Sequence, residues 1–143
     1  MSDDDVRRAP ADEIAFHEWL GLETVEKRDG RAVVEIPYSE EITNPFGVPH
    51  GGIVATAADV ASGAALLSEL DEGAYVTTTD LDVKFLEPAG GDLRATAEVV
   101  RIGGSMGVVR IEVTSETPEG DPATVSLAHA TYRVYPDAGL TGA

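Results

Sequence analysis

The sequence predicts an α+β fold, an antiparallel β-sheet wrapped around one long central α-helix. Three observations carry the expectation. A single stretch, Gly51 to about Leu70, is long, apolar and free of proline. Four segments of alternating hydrophobicity follow it, separated by glycine-rich turns. Helix and strands are segregated along the chain, which points to an antiparallel sheet covered on one face and away from a parallel α/β arrangement.

Taken in order, "PADEIAFHEWLGLE" has the spacing of a short helix that directs Ile14, Phe16 or His17, Trp19 and Leu20 toward the core and stops near Gly21. "LETVEKRDGRAVVEIPYSE" is two alternating runs around Asp29 and Gly30, a strong local hairpin signal. Residues 38–50 are turn-rich, with Asn44, Pro45, Gly47 and Pro49. The long helix then presents almost nothing but small side chains from Ala55 to Ala65, so that backbone can approach it closely on more than one side. Of the four strands, the first alternates at Leu81, Val83 and Phe85, the second at Leu93, Ala95, Ala97 and Val99, and the third at Val109, Ile111 and Val113. "PATVSLAHATYRVY" closes the set. The runs "EPAGGD" and "RIGGSMG" read as hairpin turns, and consecutive strands are expected to pair as a meander.

Composition narrows the function. The 143 residues, 43% hydrophobic, suit one soluble domain over 1–143 with its core at about 10–136. Cysteine is absent, which removes thiolate catalysis and disulfide frameworks and fits an intracellular setting. No signal-peptide or membrane-span pattern is present, so a cytoplasmic location is expected. Acids outnumber Lys and Arg by 26 to 10, for a net charge of −16, which disfavours nucleic-acid partners. The acids are spread along the chain, and only Lys27 and Lys84 are lysines, a composition like that of proteins from halophilic archaea. His17 and His129 have no metal-like spacing, and neither a metal nor a redox cofactor is expected.

Asp59, an acid in the middle of the apolar helix, is the residue that calls for chemistry, because a desolvated carboxylate must be compensated. Gly51 and Gly52 at the helix start leave backbone N–H groups, unencumbered by side chains, at the positive end of the helix dipole, which suits a developing oxyanion. Each residue also has a plainer reading: His50 as a helix cap, Asn44 as a turn residue, and Thr77 to Thr79 as strand formers.

The pattern N-x-x-G-x-x-H-G-G over Asn44, Gly47, His50, Gly51 and Gly52, with Asp59 nine residues after the histidine and then Gly63, resembles the signature of the hotdog-fold thioesterases. It is most similar to the branch holding the phenylacetate-pathway (PaaI-like) and related 4-hydroxybenzoyl-CoA enzymes, and the likeness runs over roughly residues 30–136. The resemblance implies acyl-CoA as substrate. It implies the Gly51 N–H and the Asn44 side chain at the thioester oxygen, His50 shaping the helix entry, Asp59 as general base or nucleophile, and Thr78 orienting water. It also implies CoA contacts from Gly52, Arg101, Gly103, Gly104 and Ser105, although relatives often carry a basic residue where this chain has Gly104, Ser105 and Met106. Lys84, Arg94 and Arg110 are further candidates for the phosphates. Other enzymes of the same fold, hydratases or dehydratases, and a non-catalytic acyl-CoA binding module are the alternatives.

Gly51 and Asp59, eight residues apart on one helix, stand about 12 Å apart along its axis and cannot meet one carbonyl. Two antiparallel helices related by a two-fold axis solve this, with Gly51 of one subunit facing Asp59 of the other. A homodimer with shared sites is therefore expected, and the family resemblance implies a dimer of dimers.

Overall fold

The computed structural model describes residues 14–136; the predicted first turn of the opening helix at residues 10–13 lies outside the described residues. The elements are α1 (Ala15–Leu20), β1 (Glu23–Arg28), β2 (Arg31–Ile36), a 3-10 turn at Glu40–Ile42, α2 (Gly51–Leu67), β3 (Tyr75–Phe85), β4 (Leu93–Ile102), β5 (Met106–Glu116) and β6 (Pro122–Tyr135). The six strands form one antiparallel sheet in the order β1-β2-β4-β5-β6-β3, with α2 packed on its inner face. This is the hotdog arrangement.

Helix α1 ends at Gly21 in a left-handed conformation (φ 68°), with the Gly21 N–H donating to Glu18 O and the Leu22 N–H to His17 O. Only Leu20 of the helix is buried; Phe16 is 48% and Trp19 56% exposed, and Ile14 is exposed too. The expectation that Ile14, Phe16 and Trp19 enter the core is thus corrected. At about 100° per residue, a helix this short buries only the face centred between His17 and Leu20. Trp19 lies outside that face, and Phe16, at the exposed start of the helix one turn before Leu20, stacks on it.

The Asp29–Gly30 hairpin has both residues at positive φ (51° and 78°), as a type I′ turn requires. Strands β4, β5 and β6 pair in succession, and the 103–105 turn closes with the Gly103 N–H on Met106 O.

The meander fails between β3 and β4, which is the second correction. Strand β3 pairs with β6 at the far edge, and β4 pairs with β2. Residues 86–92 are a crossover past the end of the sheet and not a hairpin turn. They must cover three strand spacings, about 14 Å, which an extended segment of that length does easily. On the way the Leu86 N–H donates to Val125 O and the Gly90 N–H to Glu116 O. Gly90 is required by this close passage: a Cβ there would lie 2.7 Å from the backbone of Pro118.

Beneath α2 the small residues have a structural use. Ala57, Ala58, Ala61 and Ala65 are fully buried, and so are Ala32, Ala95 and Ala97, with Ala128 and Ala130 nearly so, on the inner faces of β2, β4 and β6. Alanine against alanine brings helix and sheet close together without voids.

One irregularity sets the position of Thr78. Continued backward, the alternation Phe85, Val83, Leu81 would put Thr79 inside. A β-bulge between Thr78 and Asp80 resets the phase, so that Thr78 pairs with Tyr132 and faces α2 with it.

Candidate active site

Helix α2 carries two groups of functional interest, one at its start and one at its middle. The loop before it folds back on itself: the Asn44 N–H donates to Val48 O (2.9 Å), the Gly47 N–H to Asn44 O (2.9 Å) and the His50 N–H to Ile42 O (2.7 Å). His50 is the N-cap, and its Nδ1 accepts from the Gly52 N–H at 2.9 Å. Gly52 therefore does not offer a free N–H, which corrects the expectation that both glycines do. The Gly51 N–H has no hydrogen-bond partner among the described residues. The Phe85 ring stands beside it, where a Cβ on Gly51 would lie 3.3 Å away. Asn44 uses its side-chain oxygen in an Asx turn, accepting the Phe46 N–H at 2.9 Å, so its amide hydrogens stay available as donors. Around this end Phe46 is 88% exposed, and Phe85 and Leu86 are exposed as well.

Two turns further on, Asp59 is half-buried between α2 and the β3–β6 pair. Thr78 Oγ1 donates to Asp59 Oδ1 at 2.8 Å. Tyr132 Oη donates to the same Oδ1 and lies 2.6 Å from the Asp59 carbonyl oxygen. Among the described residues Oδ2 has no hydrogen-bond partner and no cation pairs with Asp59. Burial first, and then the adjacent Asp59 carboxylate, push the Tyr132 phenol well above its ordinary range, so that it remains a donor. The site therefore consists of an oriented carboxylate with one unpaired oxygen, and, eight residues away on the same helix, an unpaired N–H at the helix start.

The thioesterase superfamily model matches residues 46–120, which include the helix start, Asp59 and Thr78. The chain belongs to the thioesterase superfamily. A Halobacterium salinarum protein provisionally named an esterase is 40% identical over 83% of both chains. Human acyl-coenzyme A thioesterase 13 is 33% identical over 71% of this chain and 74% of its own. Among solved structures, a thioesterase family protein from Silicibacter pomeroyi superposes with a TM-score of 0.80 at 29% identity, over 85% of this chain and 90% of that one.

Within this thioesterase-superfamily chain the residues of the sequence signature fall into three places. Asp59 and Thr78 are in contact, and Asn44, His50, Gly51 and Gly52 gather at the helix start. Arg101 and the Gly103, Gly104, Ser105 turn lie beyond the other end of α2. There Ser105 O accepts the Val134 N–H, and the neighbouring Gly107 packs against Leu66. One subunit does not bring that turn to Gly52. Lys84 and Arg94 are engaged on the outer face of the sheet, with Asp82 (3.1 Å) and Glu35 (2.6 Å) respectively, and Arg110 shares that face by register. Tyr132 was not expected from the sequence. Its one signal is its alternation with Ala128, Ala130 and Val134 on the inner face, a pattern that any core tyrosine would share.

Proposed function

We propose that this chain is an acyl-CoA thioesterase of the PaaI-like branch, hydrolysing the thioester to a free acid and CoA without a metal or redox cofactor. In this reading the Gly51 N–H and the Asn44 amide hold the carbonyl oxygen. Asp59 Oδ2 takes a proton from water as the water oxygen attacks the carbonyl carbon. The tetrahedral intermediate then collapses, the C–S bond breaks, and CoA leaves as thiolate and is reprotonated. Direct attack by Oδ2 to form a mixed anhydride is the other form of the same chemistry. The observation that carries the reading is Asp59: a carboxylate on an alanine-rich helix, oriented by two hydroxyls and, among the described residues, unpaired with any cation and open at one oxygen.

The reading includes a homodimer with shared sites, and two such dimers associating. The 12 Å offset along α2 supports the first, because one carbonyl cannot touch both Gly51 and Asp59 of one chain. So does the sheet. Strand β3 is a long edge strand, exposed over most of its length, beside the helix that bears the site. Edges of this kind are normally paired or covered, and pairing with a second copy would bring two α2 helices together. The same two-fold would carry the 103–105 turn of one subunit toward the helix start of the other, where CoA contacts are expected. Named acyl-CoA activity in human thioesterase 13 supports the substrate class. The acidic composition and the Halobacterium relative support a salt-adapted cytoplasmic enzyme. A hydratase is disfavoured because the His50 Nδ1 is occupied as a cap.

Free-thiol release from aliphatic and aromatic acyl-CoAs, at high and low KCl, tests this. Asp59→Asn is expected to lower kcat by about 100-fold or more with KM changed little. Equal rates for wild type and variant on every thioester would defeat the proposal.

A further inference from the structure

Tyr132 lies in the last strand, 73 residues from Asp59, yet its hydroxyl reaches both the side chain and the backbone carbonyl of that residue. Its neighbour across the sheet is Thr78, the other donor to the same oxygen. The two hydroxyls are side by side only because the bulge at Thr79 turns Thr78 inward. Gly63, one turn beyond Asp59, faces the Tyr132 ring, which a Cβ there would meet at 3.8 Å, so the ring lies flush against the helix. With 3% exposure and its ring packed against α2, Tyr132 has little freedom to move.

Two donors on Oδ1 leave Oδ2 as the oxygen able to receive a proton. They also fix the plane of the carboxylate, since one contact comes from each of two adjacent strands. We propose that Tyr132 is a positioning residue for thioester hydrolysis: with Thr78 it pins Oδ1 of Asp59, so that Oδ2 alone is presented to the reacting water. This rests on the reading of Asp59 as the reactive carboxylate.

Among the described residues no other titratable group faces Asp59 from β2 to β6, and β1, at the opposite edge of the sheet from β3, carries Lys27 on the inner face by its pairing with Ala32. The inward residues of β2, β4 and β5 are aliphatic or glycine: Ala32, Val34 and Ile36; Leu93, Ala95, Ala97, Val99 and Ile102; Gly107, Val109, Ile111 and Val113. Those of β3 beside Thr78 are Val76, Leu81, Val83 and Phe85, those of β6 beside Tyr132 are Ser126, Ala128, Ala130 and Val134, and Ser62 is the polar neighbour on the helix. In the proposed dimer a second subunit packs over this site. Its effect is common to wild type and to variants at position 132, so the displacement between them isolates Tyr132.

A hydrogen bond to a carboxylate favours its charged form, so removing the phenol hydroxyl should move the acid limb of the pH–rate profile upward. Tyr132→Phe keeps the ring and its packing. It is expected to lower kcat about 10- to 100-fold with KM little changed, and to move the acid limb upward. Site-specific 3-fluorotyrosine at position 132, a more acidic donor of nearly the same shape, is expected to shift that limb the other way. A merely structural role moves neither limb. Asp59→Asn is assayed alongside. If it is inactive while both position-132 variants keep the wild-type kcat and acid limb, Tyr132 is not a positioning residue and the Asp59 reading stands. If Asp59→Asn is as active as wild type, the Asp59 reading itself fails. Should Tyr132→Phe not fold, the fluorotyrosine variant decides alone, and an unmoved acid limb overturns the proposal.

Discussion

Ser126 is fully buried on the inner face of β6, between Val113 and Phe85, and its hydroxyl has no hydrogen-bond partner among the described residues. An orphaned buried hydroxyl costs desolvation without return. Ser126→Ala should therefore be neutral or stabilising, by up to about 1 kcal/mol in denaturant unfolding. A loss of stability would mean that Ser126 has a partner that the fold conceals. At this scale the sequence is informative where function depends on local spacing. His50, Gly51, Gly52 and Asp59 lie on one short segment, so an acid at mid-helix and a capped start can be read from the order of residues alone. Tyr132 could not be found in that way, because its role depends on a contact between residues 73 apart and on a bulge one residue wide. Asn44 shows the limit from the other side: its plain turn role and its free amide coexist in one side chain.

Elements were legible where hydrophobic period and turn chemistry agree, as at the Asp29–Gly30 hairpin, the long helix and the alternating strands β4 and β5. The order of strands was not. "EPAGGD" has the glycines of a hairpin, and nothing local separates a turn that reverses the chain from one that carries it to the other side of the sheet. The deciding contacts are distant, between Gly90 and residues 116–118. They also make the crossover testable. Gly90→Ala sets a Cβ against the Pro118 backbone and should cost about 1–3 kcal/mol, seen as a lower denaturation midpoint. An unchanged midpoint would argue that the crossover does not run against the β5–β6 turn. In α1 the apolar residues were visible and their direction was not, since six residues carry too little periodicity to say which of Phe16, Trp19 and Leu20 is buried.

For the whole molecule, three features converge on a second copy of the chain: the open edge of β3, the exposed Phe46, Phe85 and Leu86 around the helix start, and the separation of Gly51 from Asp59 along α2. Subunit complementation tests the proposed shared site. Gly51→Pro deletes the one N–H at issue while suiting its position. It is the first residue of the helix, where proline is favoured, and His50 before it already has the extended ψ of 140° that a following proline needs. A Cβ there would meet only the movable Phe85 side chain. Differently tagged Gly51→Pro and Asp59→Asn chains are co-expressed and the mixed dimer is isolated for thiol-release assays. Each parent homodimer should be nearly inactive, whereas the mixed dimer, with one site rebuilt from Gly51 of one chain and Asp59 of the other, should recover about half of the wild-type activity. A mixed dimer as inactive as its parents would contradict a site shared between subunits.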